Sequence, residues 1–168
     1  EWSFRTTEPA LKVCNERGVE NIIMTLWGDF GRECSCFSAL SMLYHAIQTY
    51  KGNNDMQSIK DGFNQLIGED FEDFALLEIP NQVNGNVGTY HNPSKYMLYN
   101  DPFMGIFDHN VRGGEAEYYK KQKCKLSKAM KRSKNFGYIF EVQYQLCNVL
   151  QTKFDLGVRT RKAYKAGD

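Results

Sequence analysis

Residues 21 to 27, NIIMTLW, form a nearly continuous apolar, β-rich run that follows a helical segment and a tight glycine turn. Such a run suits a strand buried on both faces of a parallel sheet better than an alternating edge strand. Upstream, Glu8 to Arg17 reads as a short helix, with Pro9 in its first turn, Leu11, Val13 and Cys14 as apolar positions, and Gly18 as its stop. A buried parallel strand needs neighbours for its N–H and C=O groups, yet residues 53 to 168 hold no second run of this kind. The expectation is a missing sheet, and so a piece of a larger α/β protein; a sheet supplied by another chain is the alternative. The chain opens at Glu1 without a starting Met, which points the same way.

Downstream of the loop GDFGRECS, residues 28 to 35, the pattern turns helical. Phe37, Leu40, Leu43, Ile47 and Tyr50 recur at three- and four-residue spacings up to Gly52. Met56, Ile59, Phe63 and Leu66 mark a second helix. Phe71, Phe74 and Leu77 mark a third, capped by Asp70 and ended before Pro80. Residues 81 to 92 read as an Asn- and Gly-rich loop, and Pro93 begins a short helix through Tyr96 and Leu98. Two longer helices span Glu115 to Lys134 and Tyr138 onward, separated at Asn135 to Gly137, the second with Val142, Leu146 and Val149, extending to Leu156, on its apolar face.

The totals restrict the function. The chain has 168 residues, 42% of them hydrophobic and 14% aromatic, enough to bury a sizeable core. Twenty-one Lys and Arg against twenty Asp and Glu leave a net charge of +1, so the chain as a whole is not drawn to nucleic acid or to a membrane. No apolar segment approaches the roughly 20 residues needed to span a bilayer, and no secretory leader is visible. The five cysteines, Cys14, Cys34, Cys36, Cys124 and Cys147, are scattered and odd in number, which reads as reduced thiols in a cytoplasmic protein.

The segment TLWGDFGRECS, residues 25 to 35, places a Trp, two carboxylates and an Arg directly after the expected strand, where α/β folds collect ligand-binding groups. An indole face covers the apolar face of a pyranose, and a carboxylate accepts hydrogen bonds from two adjacent hydroxyls. Trp27 followed two residues later by Asp29 therefore suits a sugar, with Gly28 and Gly31 allowing sharp turns. The competing reading has Trp27 covering a barrel core and Asp29 capping the next helix.

Residues 20 to 50, together with LYNDPFMGIFD (98 to 108) and LGVRTRKAYKAGD (156 to 168), resemble glycoside hydrolase family 20, the β-N-acetylhexosaminidases, in which a TLWGD-like segment ends the eighth barrel strand. The resemblance implies a mainly α chain, with the final βα unit of a (β/α)8 barrel in residues 1–52 and an all-helical C-terminal domain in residues 53–168. It further implies that Trp27 stacks beneath the terminal sugar and Asp29 binds its outer hydroxyls, with Glu33 in the same loop as a weaker contact. Arg32 stands where a small residue is expected, so its role stays open. The family's catalytic Asp-Glu pair comes from an earlier strand, the Asp orienting the substrate's own acetamido group as nucleophile. No residue pair here matches it, so no catalytic residue is assigned and the chain alone is expected to be inactive. The implied partner is a terminal N-acetylhexosamine of a glycan or glycoconjugate, with a homodimer as a further possibility and no cofactor.

Other clusters read more simply. Glu69 and Asp70 are taken as first-turn and cap residues of a helix. Eight Lys or Arg between Lys120 and Lys134, beside Tyr118 and Tyr119, raise an RNA-binding reading, but a solvated helix with Leu126, Ala129 and Met130 facing the core is the preferred one. Cys34 and Cys36, with Cys14, His45, His91 and His109, lack a second close pair, so no metal site is expected. In the segment YNDPFMGIFD, residues 99 to 108, Tyr99, Asn100 and Asp101 either reach a sugar pocket or seat the helical domain through Phe103, Ile106 and Phe107. The alternative to an enzyme fragment is a non-catalytic helical interaction or dimerisation module.

Overall fold

A computed structural model describes residues 2–25, 35–51, 55–87 and 91–167. Among these residues the chain forms eight α-helices joined by turns and short 3-10 segments, with no strand. The helices are α1 (Trp2–Glu16), α2 (Ala39–Lys51), α3 (Met56–Ile67), α4 (Phe71–Ala75), α5 (Pro93–Tyr99), α6 (Glu115–Arg132), α7 (Gly137–Lys153) and α8 (Leu156–Ala166).

The centre is the hairpin of α6 and α7. On α6 the buried positions Tyr119, Gln122, Leu126 and Ala129 recur every three or four residues, so they share one face. That face meets Ile139, Phe140, Cys147 and Leu150 of α7, all but removed from solvent. Each large apolar side chain hidden in this way contributes roughly 1.5–3 kcal/mol. Along the flank, the Lys123 ammonium donates to Asn148 Oδ1 at 3.0 Å and Gln151 Oε1 at 2.9 Å, tying the first half of α6 to the second half of α7.

The turn between these helices is held from a distance. Glu69, a buried residue at the junction of α3 and α4, accepts the backbone N–H of Lys134 at 2.9 Å and of Asn135 at 2.7 Å. Asp73 on α4 takes two hydrogen bonds from the Arg132 guanidinium at the end of α6. Asp70 caps α4 as expected, accepting the Asp73 N–H at 2.9 Å. Glu69 is not a first-turn residue of α4; its carboxylate serves N–H groups of another helix junction, which a local pattern does not reveal.

Around the hairpin lies an aromatic cluster. Phe74 meets Phe63, Phe136 and Phe140 edge-on at 5.0 to 5.5 Å, the arrangement that sets a positive ring edge against a negative face. Phe4 of α1 stacks on Tyr44 of α2 at 4.1 Å and lies 6.4 Å from Phe71. The chain continues from α4 into a 3-10 segment, Leu76–Asn81, that passes through Pro80 instead of stopping before it. The tighter turn is anchored by hydroxyls of α6: Tyr118 donates to the Ile79 carbonyl at 2.8 Å and Tyr119 to that of Pro80 at 3.2 Å.

Several expectations need correction. The helix at the N-terminus begins at Trp2, not Glu8, and accommodates Pro9 in its interior; it ends where expected, because Gly18 adopts φ +65° and the Val19 and Gly18 N–H groups close back onto Cys14 and Asn15 carbonyls. Residues 21–25 of the expected strand have no strand structure, and Ile23 is 89% exposed. The physical reason is the one the sequence raised: no strand exists among the described residues to complete a ladder. Residues 26 and 27 lie outside the described residues, and so does the stop expected at Gly52. Tyr50 and Leu66 are exposed, not core. On α7 the buried face is Ile139, Phe140, Cys147 and Leu150, whereas Val142 and Val149 face outward.

Replacing Glu69 with Ala is expected to lower unfolding stability by about 1–3 kcal/mol, since two turn N–H groups lose their acceptor. Replacing the exposed Glu72 is expected to change it by less than about 0.5 kcal/mol. Urea denaturation of both variants checks this, and equal effects contradict the assigned role of Glu69.

Candidate functional site

The residues expected to hold the sugar, Trp27, Asp29 and Glu33, lie outside the described residues, as do Arg32 and Cys34. The structure does describe the second candidate segment, residues 99 to 108, and shows what its polar groups do.

Asn100 is buried and fully engaged. Its Nδ2 donates to Asp108 Oδ1 at 2.8 Å, its Oδ1 accepts the Phe107 N–H at 3.0 Å, and its carbonyl accepts the Lys153 ammonium at 2.7 Å. Asp101 caps its own turn, accepting the N–H groups of Phe103 and Met104, each at 2.8 Å. These two hydrogen bonds hold the Asp101 carboxyl below the usual carboxylate range. From α8, the Arg161 guanidinium pairs with Asp108 and also donates to the Pro102 carbonyl. The close approach requires Gly157, because a Cβ there would stand 2.9 Å from Pro102 Cα and 3.0 Å from the Arg161 guanidinium. Asn100 and Asp101 therefore brace the loop.

The braced loop presents apolar side chains. Phe103 is 80% exposed, and Met104, Ile106 and Tyr99 are exposed as well. Phe107, expected to dock outward with them, turns inward and stacks on Tyr96 at 5.1 Å. Next to Tyr99 a groove of about 370 Å³ runs between α5 and α7, bordered by Phe37, Leu98, Val142, Leu146 and Val149. Sequence periodicity groups the last three of these on one apolar face; Leu146 does pack against the core, while Val142 and Val149 are exposed along the groove.

The remaining chemistry-bearing residues have structural roles. Burial pushes the Cys147 thiol up to about 12, the nearby Lys123 only partly opposing it, so it is a packed thiol and not a nucleophile. Tyr118 rises to about 12, first through burial, and Tyr119 is raised further for the same reason. Both tyrosines give their hydroxyls to Leu76–Asn81 carbonyls, and the Tyr119 ring is buried as well. Among the described residues no group of three or more His, Cys, Asp or Glu is arranged to hold a metal ion. No described helix is long and apolar enough to cross a membrane.

A sequence model of the family described as Glycoside Hydrolase 20C C-terminal domain matches residues 72–168, more than half of the chain. The chain belongs to this family. The match takes in α4 to α8 and the whole braced loop, the part of the chain built on the α6–α7 hairpin. It confirms the resemblance to family 20 for the C-terminal helical part, and the parent protein is a glycoside hydrolase acting on carbohydrate. No curated protein matches the chain significantly.

Burial opposes ionisation of Asp108, but hydrogen bonds from Arg161 and Asn100 and the Arg161 charge outweigh it, leaving the carboxyl below its ordinary range. A depressed carboxylate pKa adds stability that is present above the unfolded value and lost as pH falls through the folded one. The loop brace is thus expected to hold at neutral pH and to weaken below about pH 4. Asp108→Asn should melt at a lower temperature than wild type at pH 7, with the difference shrinking as pH approaches about 3. A difference that grows on acidification contradicts the pairing.

Proposed function

We propose that the parent enzyme is an exo-acting β-N-acetylhexosaminidase that removes terminal GlcNAc or GalNAc from glycans with retention of configuration. The observation that carries the proposal is the family match over residues 72–168, joined to the TLWGD segment at residues 25 to 29. In this reading residues 1–52 carry the last helix-strand-helix portion of the catalytic barrel, and residues 53–168 form the helical C-terminal domain. Trp27 stacks on the terminal sugar, Asp29 accepts hydrogen bonds from its outer hydroxyls, and Glu33 makes a secondary contact. The Asp-Glu pair that orients the acetamido nucleophile and protonates the leaving oxygen belongs to an earlier part of the parent enzyme. The five thiols suit a cytoplasmic setting.

The described residues fit a supporting role within such an enzyme. Their carboxylates Glu69, Asp70, Asp73, Asp101 and Asp108 are engaged as caps, clamps and ion pairs. No adjacent pair among these is left to act as acid and orienting base. A second reading, a non-catalytic interaction or dimerisation module, draws on the exposed Phe103, Met104 and Ile106.

An assay with a chromogenic β-N-acetylglucosaminide tests the proposal. The 168-residue chain alone should show no turnover. In the enzyme extended upstream, Trp27→Ala should lower kcat/KM by at least about tenfold, equivalent to roughly 1.4 kcal/mol of transition-state binding. Turnover by the 168-residue chain that survives Trp27→Ala overturns both the fragment reading and the site.

A further inference from the structure

Gln143 stands in the middle of the buried face of α7. It follows Ile139 by four residues and Phe140 by three, and precedes Cys147 by four, so it shares the stripe that those three bury. An amide on such a face costs free energy unless its donors and acceptor find partners. Gln143 is half-buried, yet its side chain makes no hydrogen bond to protein among the described residues. It borders a cavity of about 270 Å³ at the junction of α1, α2, α4, α7 and the 3-10 segment Leu76–Asn81. The buried Phe74 and Leu77 line this cavity together with Phe4 and Phe37, and its polar lining includes Glu78, Asn81 and Gln82. The Gln82 amide also lacks a protein partner among the described residues. Asn81 Oδ1 accepts the Ser94 N–H at 3.3 Å and the Ser94 hydroxyl at 2.5 Å, which leaves its Nδ2 without a protein acceptor there.

We propose that this cavity binds a single neutral pyranose. An amide both donates and accepts hydrogen bonds, as a hydroxyl does, so Gln82, Gln143 and Asn81 Nδ2 match a ring that carries several hydroxyls. The apolar side chains of Phe4, Phe37, Phe74 and Leu77 suit its C–H surface. The described lining residues include no cation, which disfavours a phosphate or carboxylate ligand. Glu78 is their one formal charge and is already engaged within the protein, so an ammonium ligand gains little either. A purely apolar ligand would leave the two glutamine amides unpaired. The volume lies near the roughly 300 Å³ lower end of small-molecule pockets, so it fits one ring and not a chain. The lining carries this assignment, which stands whether or not the glycosidase reading holds.

The test titrates the 168-residue chain with methyl β-glucoside and with methyl N-acetyl-β-glucosaminide, followed by amide correlation NMR spectra. The side-chain amides of Gln82 and Gln143 should shift saturably with at least one of the two sugars, with Kd on the order of 1 mM, as suits a ligand of this size. Gln143→Leu completes the apolar stripe of α7, so it should melt no more than about 2 °C below wild type, yet weaken binding at least about tenfold. Gln82→Ala is the second variant and should weaken binding at least about threefold, since it too removes hydrogen bonds to the ring. Absence of a saturable shift with either sugar up to about 50 mM overturns the site. So does sugar binding that both variants leave unchanged. Tighter binding of glucose phosphate or of benzene at the same amides overturns the neutral-sugar assignment, in favour of an anionic or an apolar ligand.

Discussion

The antiparallel packing of α6 on α7 is the interaction on which the rest of the fold depends. Leu126 and Ala129 on one helix, with Phe140, Cys147 and Leu150 on the other, make a dry seam; α5, α8 and the 3-10 segment Leu76–Asn81 lie directly on the hairpin, whereas α1, α2 and α3 join it through α4 and the aromatic cluster around Phe74. A hairpin of two long helices leaves its turn carbonyls and N–H groups without intrahelical partners. Glu69 and Asp73 solve this from outside, one accepting the turn's N–H groups and the other holding Arg132. Because both carboxylates sit at the start of α4, the clamp also fixes where Phe74 enters the aromatic cluster, so that hydrogen bonding and packing reinforce one position.

The opposite end of the hairpin is organised differently. There α8 turns back and Arg161 holds the loop from Asn100 to Asp108 through its backbone and through Asp108. Polar groups are consumed internally, and apolar ones are displayed. The loop's shape is thereby fixed by its own hydrogen bonds, so that little ordering cost is left for any association through it.

Much of this was readable in the sequence where the signal is local. The α3, α5 and α6 spans, the Asp70 cap and the Gly18 stop follow from spacing and end residues within a few positions. Signals that depend on distant partners were not readable. Glu69 looks like any acidic residue before a helix, and its partners Lys134 and Asn135 lie 65 and 66 residues away. On α7 periodicity groups Val142, Leu146 and Val149, of which Leu146 does pack against the core while the two valines sit at the exposed edge of the apolar face. The run at residues 21 to 25 has strand composition, yet β-structure is a property of pairs, and the described chain offers no partner. The proposed sugar residues Trp27 and Asp29 rest on sequence and resemblance, since they lie outside the described residues.

Native-state hydrogen exchange on the 168-residue chain tests the central place of the α6–α7 hairpin most directly. If the hairpin and its carboxylate clamp organise the fold, amides of residues 124 to 130 and 140 to 150 exchange slowest, only through global unfolding, and those of Lys134 and Asn135 are protected with them. Slowest exchange in α1 and α2, or rapid exchange at Lys134 and Asn135, contradicts it.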